Sequence, residues 1–143
     1  MSTLVRTVAL LHTPDDGAAH VDWMWSSSPA LPAPDDRVLT TFRLPAAPLE
    51  CGPEFVAQRI HDHRARYLWW QGEIGRGLGR VERLWAGVAR LVEQRADRFD
   101  IELLEADRIV RVVGQADPGH DPSSSATIFR WASHRVVNGS AWS

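Results

Sequence analysis

The sequence predicts an all-β, mainly antiparallel domain, a barrel or a sandwich, with one short helix. Three observations lead there. Segments rich in Val, Leu, Ile, Trp and Phe recur along the 143 residues and are separated by polar, Pro- or Gly-containing breaks. Between residues 80 and 114 those breaks shrink to Ala86-Gly87, Arg95 to Arg98 and Ala106-Asp107, lengths that suit hairpins in a meander. Apolar repeats of helical period are scarce, and no heptad pattern occurs.

The elements follow in order. Leu4 to His12 is rich in Val and Leu and reads as a strand, and TPDDGAA after it reads as a loop. His20 to Ser26 is a second strand whose alternation sets His20, Asp22 and Met24 on one face and Val21, Trp23 and Trp25 on the other. A Pro-rich connection runs to Asp36, and Arg37 to Leu44 forms a third strand that Pro45 ends. After the loop PAAPLECGP, Glu54 to Ile60 is the predicted short helix. Arg66 to Trp70 (RYLWW) reads as a buried strand, followed by a turn with glycines at 72, 75, 77 and 79. Arg80 to Trp85, Val88 to Gln94, Phe99 to Glu105 and Arg108 to Gly114 make the meander. A flexible loop over 116–125 leads to a last strand, Thr127 to Ala132, and a tail without an assigned structure. With no repeat and no linker, residues 1–143 read as a single domain.

Composition narrows the function classes. Hydrophobic residues at 44% suffice for one core, and charged residues at 24% are typical of a folded chain. The net charge of -2 gives no overall attraction to nucleic acid, so binding to it would need a local patch. All 16 basic residues are Arg, a good phosphate ligand, although a chain without Lys equally reflects base composition. The lone Cys51 allows no internal disulfide and no CxxC zinc motif, which fits a reducing compartment. The N-terminal apolar run is short and lacks a small-residue cleavage site, and no stretch approaches the ~20 apolar residues of a membrane span. A cytoplasmic location with no membrane partner is expected; the sequence leaves oligomeric state open.

His20-Val21-Asp22 is the pattern richest in chemistry. On a strand, H-x-D projects imidazole and carboxylate from one face with Cα atoms about 7 Å apart. If the first two strands pair across TPDDGAA, His12 lands beside His20. Two imidazoles and a carboxylate form an N,N,O set suited to manganese, zinc or iron and leave coordination positions open. The competing reading is a set of surface or core polar residues. His61-Asp62-His63-Arg64 with Arg66 and Tyr67 is a second cluster, in which His can act as an acid and Tyr can hold an oxygen; read alone it is more readily a solvated turn before a strand, with Tyr67 packing. The glycine run lacks a Walker pattern and a Rossmann context and is read as a tight turn. One of Trp69 and Trp70 could present a platform for a base. The Ser runs at 26–28 and 123–125 lack a nucleophile-elbow pattern.

The order of these motifs resembles the 3'-phosphoesterase module of bacterial DNA ligase D and its small stand-alone relatives. That family runs from a strand ending in His, through H-Y-D-[FW]-R-L, a strand leading to a Pro turn, E-D-H-x-x-x-Y and F-E-G-x-I, to a Gly-rich stretch before G-x-V. Here the corresponding pieces are LLH at His12, HVDWMW from His20, LTTFRLP to Pro45, HDHRARY from His61 to Tyr67, WQGEI from Trp70 and GLGRV from Gly77. Order and approximate spacing hold over about residues 5 to 85, and TIFRW corresponds near the C-terminus.

The resemblance implies a compact β-barrel with a small helical addition. It also implies manganese-dependent removal of a 3'-terminal phosphate or ribonucleotide from DNA ends. His12, His20 and Asp22 would hold a divalent metal, manganese in the first place and zinc as the alternative. His63 and Tyr67 would meet the scissile phosphate, and Arg43, Arg59 and Arg64 would supply phosphate contacts. Two departures stand out. The family Arg two residues after the Asp is Met24, and Phe55 occupies the position of an upstream basic residue, with Arg59 as the nearest replacement. The segment between the two metal-binding strands is also two residues longer. These departures leave a catalytically silent binding protein of the same fold as the alternative.

Overall fold

A computed structural model describes residues 3–28, 30–118 and 127–136. The described residues form nine antiparallel strands: β1 Thr3–Thr13, β2 His20–Ser26, β3 Arg37–Leu44, β4 Glu54–Arg64, β5 Gly72–Glu73, β6 Arg80–Arg95, β7 Arg98–Leu104, β8 Ile109–Ala116 and β9 Thr127–Val136. Their order is β1-β2-β3-β4-β9-β8-β7-β6-β5, and β1 also pairs with β6. β5 therefore hangs on β6 as a short appendage, and the other eight strands close a ring. The fold is all-β and antiparallel, as the sequence pattern predicts. Among the described residues the only helical turns are 3-10, at Pro48–Glu50 and Ala65–Leu68.

Three expectations need correction. The short helix predicted over Glu54 to Ile60 is the first part of β4, paired with β3 on one side and β9 on the other. Its short amphipathic sequence fits either state alone; the ladder hydrogen bonds to two neighbours decide for the strand. RYLWW is no strand. Ala65 N and Arg66 N donate to the carbonyls of Asp36 and Pro34 at 2.8 and 2.9 Å, which docks the Pro-rich connection onto a 3-10 turn. Ala86-Gly87 is no hairpin either, because β6 continues through it, with Gly87 opposite Thr7. Much of the loop expected over 116–125 and most of the C-terminal tail lie outside the described residues.

Alternation along the closed ring sorts the apolar residues into two cores. Inside, all eight ring strands contribute to one cluster that includes Val5, Trp23, Trp25, Phe42, Phe55, Phe99, Ile101, Val112, Phe129 and Trp131. The Phe42 ring makes stacked or edge contacts with Trp25, Phe99, Phe129 and Trp131 at centroid distances of 5.0 to 5.8 Å. Thr7 satisfies the Trp23 indole there: it accepts from Trp23 Nε1 at 2.8 Å and donates to the Met24 carbonyl at 3.0 Å. The second cluster, Val8, Leu10, Met24, Leu39, Leu68 and Val81, lies on the outer face of the wall. Tyr67, Trp70 and Ile74 close over it. A sheet face that would otherwise meet water is thus covered by the chain between β4 and β6, and the candidate site opens beside that cover.

Candidate metal centre and anion pocket

β1 and β2 pair antiparallel with His12 opposite His20 and Leu10 opposite Asp22, and β3 brings Arg43 opposite Asp22. Directly opposed residues share a face, so His12, His20, Asp22 and Arg43 all project outward. β4 reaches the same face by a different device. Phe55, Ala57 and Arg59 alternate with Val56, Gln58 and Ile60, and strict alternation would turn His61 and His63 toward the interior. The β3–β4 register slips between Leu39 and Thr41, so that three steps on β4 (Ile60 to His63) match two on β3. This one-residue bulge turns His61 and His63 outward, where they stack at 4.8 Å with 8° between the rings.

The ligand atoms of His12, His20 and Asp22 lie within 4.8 Å of one another. The His20 Nε2 to Asp22 Oδ2 distance is 3.4 Å, and His63 Nε2 stands 3.8 Å from the same oxygen. Asp22 is 3% exposed, so its carboxylate depends on these partners and on Arg43 Nε at 3.3 Å. Backbone carbonyls orient the rings. His12 Nε2 donates to the Leu78 carbonyl at 2.8 Å, and His63 Nδ1 donates to the His61 carbonyl at 3.0 Å. His20 has a hydrogen bond to the Ala18 backbone. Metal-binding imidazoles are commonly oriented in this way.

The hydrogen positions follow from these partners. Arg43 Nη2 approaches His20 Nε2 to 2.9 Å, and a guanidinium can only donate, so His20 Nε2 accepts with its lone pair. The Leu78 carbonyl can only accept, so the hydrogen of a neutral His12 sits on Nε2. His12 Nδ1 and His20 Nε2 nevertheless face each other at 3.0 Å. That contact is favourable only with a positive centre between the rings, either a proton on His12 Nδ1 or a metal ion. The donor set thus fits a cation of the N,N,O type. Burial holds the pKa of His20 below the ordinary imidazole value, reinforced by Arg43 and His12 and opposed by Asp22. Burial likewise lowers His63, again against the pull of Asp22. Both shifts favour the neutral, ligating form.

No family model matches this chain, and no curated protein matches it.

Beside the three ligands is a cavity of about 250 Å³ whose lining includes His12, Asp22, Arg37, Arg43, His61, His63, Arg64 and Tyr67. Three arginines face one carboxylate among the lining residues, so the pocket is locally positive although the chain carries -2 overall. The structure thus gathers His12, His20, Asp22, His63, Tyr67, Arg43 and Arg64 in one region. It separates Arg59 from them. Arg59 pairs with Phe42 on the inward-facing side of β4, and its guanidinium sits 5.3 Å from the centroid of the Phe99 ring. Its expected phosphate contact is therefore not available in this arrangement.

Sequence reasoning gave no site role to Arg37, to His61, which it noted only as part of a cluster, or to the Leu78 carbonyl that orients His12. The His61-x-His63 spacing was a legible sign that both rings share a face. The carbonyl depends on the glycine turn: Gly79 has φ +86°, and a Cβ there would come within 1.9 Å of the Thr13 carbonyl oxygen. Only glycine lets this turn press onto β1 beside His12. Met24, where the resembling family has Arg, is 1% exposed within the outer apolar cluster.

Proposed function

We propose that this protein is a metal-dependent phosphoesterase acting on the 3' ends of nucleic acid, of the kind the ligase D 3'-phosphoesterase module represents. The observation that carries the reading is the convergence of His12, His20 and Asp22 at the edge of an arginine-rich cavity that also holds His63 and Tyr67. Manganese is the metal first in line and zinc the alternative; bound there, a divalent cation would polarise a phosphoryl oxygen and acidify a water. Arg64 and Arg37 neutralise phosphate oxygens. His63 clamps the phosphate and, once it has taken up a proton on Nε2, would donate it to the leaving oxygen; Tyr67 orients the ester. The lone thiol Cys51 fits a reducing compartment, as a cytoplasmic repair role requires.

A second reading is a catalytically silent protein that binds nucleic acid or a protein partner. The burial of Met24 and the inward side of Arg59 favour it, because both remove charge from the places where the resembling family carries it. Manganese-loaded protein and a primer bearing a 3'-phosphate decide between them, with His20→Ala as the control. Phosphate release that requires both metal and His20 supports the enzyme. Stoichiometric metal binding without turnover supports the silent protein, and failure to bind either manganese or zinc sinks the metal-site basis of both.

A further inference from the structure

We infer that Arg43 is a gate shared by cation and phosphate: a metal ion entering at His20 releases the guanidinium into the cavity, where it becomes an oxyanion ligand. This rests on the metal site proposed above and adds an order of binding to it. Arg43 Nη2 donates to His20 Nε2 at 2.9 Å. The lone pair that accepts this hydrogen bond is the one a metal would use, and one lone pair cannot serve both. The guanidinium charge would also lie close enough to an incoming cation to repel it. Arg43 is therefore an internal competitor for the cation.

Release need not be complete. Arg43 Nε lies 3.3 Å from Asp22 Oδ1, whereas the oxygen nearest His20 and His63 is Oδ2. One carboxylate oxygen can face the metal while the other keeps hold of Nε. The guanidinium then turns about that anchor and carries Nη2 from His20 toward the cavity that Arg37 and Arg64 also line. The Arg43 side chain is 39% exposed, which leaves its guanidinium room to turn. Its fork suits a phosphate with two oxygens presented together. Cation and phosphate should consequently strengthen each other's binding, and by linkage they do so reciprocally.

Calorimetry with zinc or manganese alone, on wild type and Arg43→Gln, tests the competition. Removal of the competing hydrogen bond should tighten metal binding by roughly tenfold. Titration with inorganic phosphate, with and without zinc, tests the second half. The gain in phosphate affinity on zinc loading should be about tenfold larger in wild type than in the variant. Should Arg43→Gln fail to fold, NMR of arginine Nε–H groups in wild type serves instead, with Arg43→Lys for assignment. Zinc must then shift the Arg43 signal. Metal affinity that is unchanged or weaker in Arg43→Gln, or an Arg43 signal indifferent to zinc, overturns the gate while leaving the phosphoesterase reading intact. A wild-type protein that binds neither metal overturns both.

Discussion

The two faces of β2 differ by a single residue step. Trp23 and Trp25 turn inward into a core built from all eight ring strands and held by interlocking aromatic rings. His20, Asp22 and Met24 turn outward, where the apolar cluster is smaller and its cover is a single stretch of chain. The inner face concentrates apolar area, the main source of stability. The outer face concentrates polar groups whose best partner is an ion. A buried carboxylate and neighbouring imidazoles form a donor set that could hold a cation, with the Arg43 guanidinium competing for it. Stability and chemistry are thus separated by the strand alternation itself.

Substitutions should make that separation measurable. Trp25→Ala should cost about 3–5 kcal/mol in denaturant unfolding, the range for truncating a fully buried aromatic. His20→Ala should stay within roughly 1 kcal/mol of wild type in the absence of metal. A large loss in His20→Ala would show that the outer cluster is structural after all. Metal should narrow the gap between the two faces. At a hundredfold excess over Kd, zinc or manganese should stabilise wild type by about 2.7 kcal/mol, visible as a rise in Tm. His12→Ala and His20→Ala should lose most of that rise, and Trp25→Ala should keep it wherever it folds.

Gly79→Ala addresses the link between turn and site. The strained φ and the clash with the Thr13 carbonyl predict a loss of about 1–3 kcal/mol. Metal affinity should fall with it, because the Leu78 carbonyl would move off His12. Stability lost with metal affinity unchanged would show that this carbonyl does not orient the ligand.

The smallest expected effect is on pH dependence. The folded pKa values of His20 and His63 lie below the unfolded imidazole value near 6.5. The unfolded chain therefore takes up protons first as pH falls. The stability that the neutral rings contribute is complete above about pH 6.5 and is lost as pH drops through the folded values. Metal-free melts between pH 7.5 and 5 should show this decline, and His63→Gln should flatten it. An unchanged slope in that variant would locate the acid sensitivity elsewhere.

Much of this was legible because β2 and its neighbours alternate cleanly. HVDWMW fixes its two faces by period alone, and His12 followed by a short polar loop fixes the partner of His20. The misreadings fall where local pattern underdetermines conformation. EFVAQRI fits a helix or a strand until β3 and β9 supply ladder partners. RYLWW is apolar on every side, and the Pro34 and Asp36 carbonyls make it a turn. Arg59 was assigned to phosphate by its charge and position, but its face depends on parity along β4. The outward direction of His63 was likewise invisible, because it rests on a register slip that spacing does not encode.

That slip makes chain length, rather than side-chain identity, the weak point of the pocket. Removing Asp62 would restore regular pairing with β3 between Ile60 and His63 and, by alternation from Ile60, aim His61 at the aromatic interior while His63 stayed opposite Leu39 on the outer face. The barrel would keep its strand order while the pocket lost one of its walls. In a lineage of such barrels, a single-codon deletion in this strand would reshape the pocket in one step, and a single-codon insertion would restore it.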